Sequence, residues 1–332
     1  MASDRTLVTE LATGLGMVGE GGIGPTLAAR PPEFNNVDSE TWGRLDALWS
    51  EQAFAAEFAD GYSNGQAFLD APDALGGRRP RIVEWTGARR APGDEVVPSD
   101  LRIDHVYLVS CKYLSRILHN PSPARLVEGL LTQAPSEEVG DWYERISPAE
   151  YQRLYDRCRS VVESPTMPER VGDLRRDHRR QLAAALRGGW PDGAAEAYGD
   201  LCRSVSTATA QRWRARLNED NAESMLWRIL RIGSAPYFIL GADRRGSVRL
   251  RIDTPWDWRR RYRLRRFTVD AQPGGQPRVG WAAWYQVRRT MEDRVVQGHV
   301  ELRWSHGRFA QPPEAKVYLD SAHSDVPGYH QL

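Results

Sequence analysis

The chain has 332 residues, of which 41% are hydrophobic and 27% charged, which is typical of a globular protein rather than a disordered one. It contains no apolar run of about eighteen residues and no secretory signal pattern at its N-terminus, so we expect a cytoplasmic protein that does not cross a membrane. Cys111, Cys158 and Cys202 lie too far apart for a zinc site, and their small number argues against disulfides.

The basic residues are almost all arginines. Of the 45 Lys and Arg residues only Lys112 and Lys316 are lysines, although the net charge is just +1. A genome that disfavours lysine codons explains the general scarcity. Because arginine is a planar, permanently charged fork whereas lysine is a compact cation that can lose its proton, the two surviving lysines indicate positions where arginine would not serve.

Residues 1–37 are predicted to form a flexible N-terminal arm. Gly14, Gly16 and Gly19 spell GxGxxG, but a dinucleotide site needs a strand before this motif and a helix after it, and here more glycines and Pro25 follow. From residue 38 the pattern becomes helical, with Ser39 as the expected cap and a second short helix after an interruption at 61–65.

Residues 38–131 are predicted to form an α/β core, because the helices are followed by three strand patterns at 81–86, 96–103 and 106–113. A tight turn is expected near Asp104 and His105. Residues 132–221 have helical patterns and form a predicted helical insertion. Residues 222–332 begin with a helix and continue as a β-rich C-terminal part, with strand candidates at 236–241, 248–252, 262–269, 279–288, 295–304 and 315–319.

The residues with the strongest chemical signal are Asp100 and Lys112, which lie on adjacent predicted strands. Metal-dependent cleavage of a phosphodiester needs carboxylates to hold the metal and a cation to balance charge on the phosphate. Pro98-Ser-Asp100, followed after a short interval by Ser110-Cys-Lys112, resembles the PD-(D/E)xK nuclease superfamily, and so does the order helix–strand–strand–strand–helix–strand. The resemblance implies a restriction-endonuclease-like mixed sheet, a Mg²⁺ or Mn²⁺ cofactor and DNA as the partner.

The motif departs from the family at one position, because Ser110 stands where the family has an acid two residues before the lysine. Glu84, on the preceding strand, is the expected substitute. The resemblance implies that Asp100, Glu84 and the backbone carbonyl of Cys111 bind the metal. Lys112 would then position the attacking water, and Ser110 would orient the water shell of the metal.

Arginines are expected to bind the nucleic acid, because they are interleaved with tryptophan and tyrosine between residues 244 and 266. The basic run at 175–180 can be either a solvated helix face or part of a nucleic-acid groove. The candidate contacts are Arg89, Arg90, Arg116, Arg259, Arg260, Arg261, Arg303, His306 and Arg308.

A rival site is formed by Glu301, Glu314 and Lys316, which match the ExK spelling better but lie too near the C-terminus for the rest of the core to follow. We therefore expect a Mg²⁺-dependent DNA endonuclease, with restriction or phage defence as its role by analogy. The alternatives are a non-catalytic nucleic-acid-binding or sensor protein on a degraded nuclease core and another enzyme that uses the rival site. A homodimer is compatible with each of these hypotheses.

Overall fold

The structure is a computed structural model that describes residues 3–87, 99–113, 117–129, 140–162, 166–243 and 246–332. The chain forms two compact units. The sheet of the first unit is mixed, and the sheet of the second is antiparallel. Unit 1 consists of residues 1–115, 231–261 and 323–332, and unit 2 consists of residues 116–230 and 262–322. In the described residues, no helix is long and apolar enough to cross a membrane.

Unit 1 contains both helices and a mixed sheet. Its helices are α1 (Asp4–Val18), α2 (Ile23–Ala29), α3 (Ser39–Ser50), α4 (Ala55–Asp70) and α11 (Pro255–Arg261). Its strands are β1 (Phe34–Asn35), β2 (Val83–Trp85), β3 (Leu101–Ile103), β4 (Tyr107–Tyr113), β6 (Tyr237–Asp243), β7 (Gly246–Ile252) and β12 (Tyr329–Gln331).

Helix α1 is buried along most of its length. Residues 1–37 were predicted to form a flexible arm, and the presence of this helix contradicts that prediction. Ser3 caps it by accepting a hydrogen bond from the Thr6 amide, and every residue from Leu7 to Val18 is buried. The arm prediction was wrong because it took the glycines of this segment as signs of flexibility.

The glycines of α1 and α4 instead allow the two helices to pack closely. A Cβ on Gly16 would lie 2.1 Å from the Tyr62 carbonyl oxygen, and a Cβ on Gly65 would lie 2.1 Å from the Thr13 carbonyl oxygen. Only glycine fits at such a backbone approach. The same contact explains why α4 continues through residues 61–65, where the sequence predicted an interruption between two helices.

The sheet of unit 1 has seven strands in the order β1-β2-β3-β4-β6-β7-β12. Strands β2, β3 and β4 form an antiparallel meander, while β6 runs parallel to β4 and β7 runs antiparallel to β6. The predicted turn between β3 and β4 is confirmed, since Asp104 and His105 both have positive φ, at 49° and 59°. Two successive positive φ values are typical of the tight turns that favour hairpins.

Unit 2 combines helices with a second, antiparallel sheet in the order β5-β11-β10-β9-β8. Its helices are α5 (Pro123–Val127), α6 (Trp142–Ile146), α7 (Pro148–Arg159), α8 (Arg176–Ala185), α9 (Ala194–Arg216) and α10 (Glu219–Ile229). Its strands are β5 (Ile117–His119), β8 (Tyr262–Ala271), β9 (Arg278–Val287), β10 (Glu292–Arg303) and β11 (Glu314–Leu319).

The prediction of a mixed α/β fold is therefore confirmed at the level of class, and each strand predicted after residue 236 is present. The predicted segment boundaries differ from the units. Residues 117–129 belong to unit 2 rather than to the core, and the β-rich part 222–332 is divided between both units. The division follows from hydrogen bonding, because β6, β7 and β12 pair in the first sheet whereas β8 to β11 pair in the second.

Candidate active site

Asp100 lies directly before β3, and its carboxylate is fixed by the neighbouring strand β4. The Asp100 amide donates to the Val109 carbonyl, and the Asp100 carbonyl accepts from the Thr86 amide, so the backbone is held on both sides. Its Oδ2 accepts hydrogen bonds from Ser110 Oγ at 3.0 Å and from the Cys111 amide at 2.7 Å. Among the described residues both bonds fall on Oδ2, which leaves Oδ1 available to a ligand.

Asp100 and Lys112, which the sequence placed on adjacent strands, line a common pocket. The cavity has a volume of about 260 Å³ and is lined by Arg5, Thr6, Thr9, Glu10, Asp100, Cys111, Lys112 and Tyr113. Sites for drug-sized ligands usually occupy roughly 300–1,000 Å³. This smaller, open cavity suits a phosphate group and an ion, while the rest of a large substrate would remain outside it.

Glu10, on α1, is the second carboxylate of this pocket, and the sequence analysis did not identify it. Its side chain is buried, and its Oε2 accepts a hydrogen bond of 2.7 Å from Trp85 Nε1 on β2. Burial, and next the negative charge of Asp100, raise the pKa of Glu10 to about 8, against the lowering effects of Trp85 and Lys112. Glu10 is thus an acid whose ionisation depends on what else occupies the pocket.

The thiol of Cys111 lies among these charges and stays protonated. Burial raises its pKa well above the usual value, and the charges of Asp100 and Glu10 raise it further. A thiol that holds its proton is a poor nucleophile, so the side chain of Cys111 does not fit covalent catalysis. The prediction that its backbone carbonyl binds a metal stays a prediction.

Glu84 was expected to replace the missing acid of the motif, but the structure gives it other partners. It accepts from Arg102 Nε at 2.9 Å and faces His105 Nδ1 at 3.0 Å, and it does not line the pocket. The hydrogen bond from Arg102 lowers the pKa of Glu84, although burial opposes this. Its charge therefore belongs to a local ion-pair cluster. Ser110, likewise, uses its hydroxyl to hold Asp100.

The position of Lys112 depends on a glycine in the adjacent strand. Lys112 on β4 is paired with Gly241 on the parallel strand β6. A Cβ on Gly241 would lie 1.9 Å from the Lys112 carbonyl oxygen, so any larger residue would push β4 away at this point. This close backbone contact fixes the position of Lys112 relative to β6.

The rival site lies in unit 2 as a network of ion pairs on one sheet. Glu301 on β10 is paired in register with Lys316 on β11, but the Nζ of Lys316 lies 3.3 Å from Glu314, and Glu301 Oε2 lies 3.0 Å from Arg303 Nε in an ion pair. Burial opposes ionisation of Glu314, yet hydrogen bonds from Ser305 and Asn120 and the charge of Lys316 lower its pKa. The carboxylates of the rival site are therefore already paired with cations of the same sheet.

The predicted nucleic-acid contacts are distributed over both units. Arg259 and Arg260 are exposed on α11 beside Trp256, which is 72% exposed, whereas Arg261 contacts His330 and Asp253. Arg303 bonds to Glu301 and Tyr318, and His306 and Arg308 line a separate cleft in unit 2. Arg89, Arg90 and Arg116 lie outside the described residues.

Comparisons of the chain with models of protein families, with curated proteins and with solved structures found no match. The fold and the pocket are therefore the observations from which a function can be inferred.

Proposed function

We propose that this chain is a Mg²⁺-dependent nuclease that hydrolyses phosphodiester bonds in DNA, with Glu10, Asp100 and Lys112 at its active site. The observation that carries the proposal is the convergence of two carboxylates and one of only two lysines on a small open pocket. The strand order of unit 1 supports it, because an antiparallel meander followed by β6 parallel to β4 agrees with a restriction-endonuclease-like core.

The donors of the pocket fit a hard divalent cation. Mg²⁺ prefers oxygen ligands, keeps several waters and is commonly held by only one or two carboxylates. Asp100 and Glu10 are two such carboxylates, although no group of three or more His, Cys, Asp or Glu side chains suited to a metal occurs within the residues that the structure describes. Burial, and next the charge of Asp100, raise the pKa of Glu10 and so disfavour its ionised form, which a bound cation would favour.

Each residue then has a definite task. Asp100 is held rigidly by Ser110 and Cys111 and presents its remaining carboxylate oxygen. Glu10, held by Trp85, would provide the second oxygen ligand in its ionised form. Lys112, which lines the pocket, would contact a phosphate oxygen and orient the attacking water. A bound Mg²⁺ would supply Lewis-acid polarisation of the phosphate and a lower pKa for coordinated water.

A non-catalytic nucleic-acid-binding or sensor protein is the second candidate function, and Ser110 favours it. The hydroxyl of Ser110 is used on Asp100 and cannot replace the charge of a carboxylate. In that case the pocket would bind a phosphate without cutting the bond. A role in restriction or phage defence remains a prediction under either function.

Cleavage of plasmid DNA with Mg²⁺ or Mn²⁺ distinguishes the two functions. We expect the wild-type chain to nick or linearise the plasmid and Lys112→Ala, Asp100→Asn and Glu10→Gln to lose this activity. Lys316→Ala and Glu84→Gln are the matched controls, because each removes the same kind of charge from a residue outside the pocket. Their activity should remain within a small factor of wild type.

The outcomes separate cleanly. Binding of DNA without cleavage by the wild-type chain would support the sensor. If Lys316→Ala abolished cleavage while Lys112→Ala did not, the active site would lie in unit 2. Full activity of Glu10→Gln would contradict the assignment of Glu10 as the second carboxylate of the active site.

A further inference from the structure

Unit 2 contains a large cleft whose charge is unlike that of the rest of the chain. The cavity has a volume of about 1010 Å³ and lies between α8 and the loop that follows β10. It is lined by Leu174, Arg176, Arg179, Arg180, Ala183, Ala184, Leu186, Arg187, His306, Gly307, Arg308, Ala310, Gln311 and Pro312. Five of these residues are arginines and none is acidic, although the chain as a whole has 44 Asp and Glu residues against 45 Lys and Arg.

Three of the arginines are not neutralised by the protein. The side chains of Arg176, Arg180 and Arg187 are exposed, and none of the three guanidinium groups forms an ion pair or hydrogen bond with any residue that the structure describes. Elsewhere in unit 2 arginines do find acids, as when Arg145 and Arg212 both contact Glu128. The cleft is therefore a place where positive charge is left without its counter-charge.

Arg308 is held in position on the opposite wall. Its Nη1 donates to the Leu186 carbonyl, and its guanidinium lies 4.4 Å from the centre of the Trp190 ring. A cation stacked on an aromatic face and tied to the backbone loses little freedom when it binds a ligand. Gly307, with φ of 111°, makes the turn that brings this arginine back toward α8.

Arg179 contributes to the wall but not to the free charge. It is buried and forms an ion pair of 3.0 Å with Asp141, which also accepts a hydrogen bond from Tyr151. Four guanidinium groups thus remain, on Arg176, Arg180, Arg187 and Arg308. Arg176 and Arg180 are one helical turn apart, with Cβ atoms about 5–6 Å from each other, so they can contact neighbouring anionic groups.

We propose that this cleft binds a ligand that carries two or more adjacent phosphate groups. A terminal phosphate carries a charge of about −1.5 to −2, so roughly two phosphates balance four guanidiniums. Arginine is suited to this role because its planar fork matches phosphate oxygens. The N-terminus of α8, which begins at Arg176 in the cleft, adds a favourable dipole. The proposal does not depend on the nuclease activity of unit 1.

The phosphates can come from a free polyphosphate compound or from the backbone of a nucleic-acid strand. Pyrophosphate, ATP and a short single-stranded oligodeoxynucleotide are therefore the three probes, used with the full chain in the presence of EDTA so that no cleavage occurs. Calorimetry measures the first two, and fluorescence anisotropy of a labelled strand measures the third.

The test variant is Arg180→Gln, and its matched control is Arg214→Gln. Arg214 is also an exposed helical arginine of unit 2, but it does not line the cleft, so both variants change the net charge equally. We expect Arg180→Gln to weaken binding of at least one probe about tenfold or more, and Arg214→Gln to have little effect. Thermal melting of both variants should match the wild type, because both side chains are exposed.

The pattern of probes identifies the source of the phosphates. Binding of pyrophosphate and ATP through Arg180 assigns a free polyphosphate ligand. If only the oligonucleotide binds through Arg180, and pyrophosphate does not compete with it, the ligand is the backbone of a nucleic acid. Equal binding of every probe to Arg180→Gln and Arg214→Gln, or no binding by the wild type, would overturn the proposal.

Discussion

The substitution Glu10→Gln offers a quantitative test of the pocket without any assay of activity. Glutamine keeps the shape of the side chain and an oxygen that can accept from Trp85, but it has no proton to lose. The pKa of Glu10 rises from 4.5 to about 8 in the folded chain, chiefly through burial and next through Asp100. Since one pKa unit corresponds to about 1.36 kcal/mol, the ionised form costs the folded state on the order of 5 kcal/mol.

The sign of the effect follows from which state binds the proton more tightly. The folded pKa is higher, so folding takes up a proton between pH 4.5 and about pH 8. In this window the wild type loses about 1.4 kcal/mol of stability per pH unit from this residue, and above it the loss is complete. Glu10→Gln has no such loss. The difference in unfolding free energy between variant and wild type should therefore rise with pH and then level off.

Urea denaturation across this pH range measures that difference directly. Glu84→Gln is a control of opposite sign, because Arg102 lowers the pKa of Glu84 and its ionised form stabilises the fold. That stability is present above the unfolded pKa of Glu84 and is lost as the pH falls through the lower, folded pKa. A Glu10→Gln difference that stayed constant with pH would refute the burial of an acid beside Asp100.

A divalent cation should act on the same ionisation. If Mg²⁺ binds the ionised pair of Glu10 and Asp100, it stabilises the folded chain by an amount that grows with its concentration relative to its Kd. This stabilisation should increase with pH, because the metal competes with the proton on Glu10. Melting temperatures measured with and without Mg²⁺ test this. An identical Mg²⁺ shift in Glu10→Gln and the wild type would show that the metal binds elsewhere.

Four further substitutions test the packing of both units by denaturation. Gly65→Ala should destabilise unit 1 by about 1–3 kcal/mol, because the new Cβ would collide with the backbone of α1. Gly43→Ala is the control: its Cβ would lie in open space on a helix, so it should stabilise the fold by about 0.5–1 kcal/mol. Gly241→Ala should displace the site lysine and reduce cleavage as well as stability. Asp141→Leu should cost about 3–5 kcal/mol, because it leaves buried Arg179 unpaired, and an unchanged midpoint would contradict that pairing.

The strands and the hairpin of this fold were predictable because their signals are local. Alternating β-branched residues and turn formers decide each strand over a few residues, and Asp104 and His105 form the turn between β3 and β4 with positive φ values. The grouping of the strands into two sheets was not predictable in the same way. It depends on pairings between distant segments, such as β12 with β7 near the end of the chain.

Asp100 and Lys112 were predictable as a pair because they lie on strands that are adjacent both in sequence and in space. Glu10 was not, because its place depends on the burial of α1. The bond from Trp85 to Glu10 spans 75 residues, and the helix reaches the sheet only because glycines let α1 and α4 approach within backbone contact. The same glycines made the segment look flexible in the sequence.

The choice between Glu84 and Glu10 shows why the register of a sheet decides the chemistry of a site. Glu84 is paired with Arg102 across β2 and β3, so its charge is compensated at once by a guanidinium. Among the described residues Glu10 forms no ion pair, and Lys112 lowers its pKa less than burial and Asp100 raise it. A metal ion stabilises an ionised carboxylate little when a guanidinium is already paired with it. It stabilises the carboxylate much more when burial makes ionisation unfavourable and no cation is paired with it. The pocket acid should therefore be sought where ionisation is unfavourable, and that criterion selects Glu10.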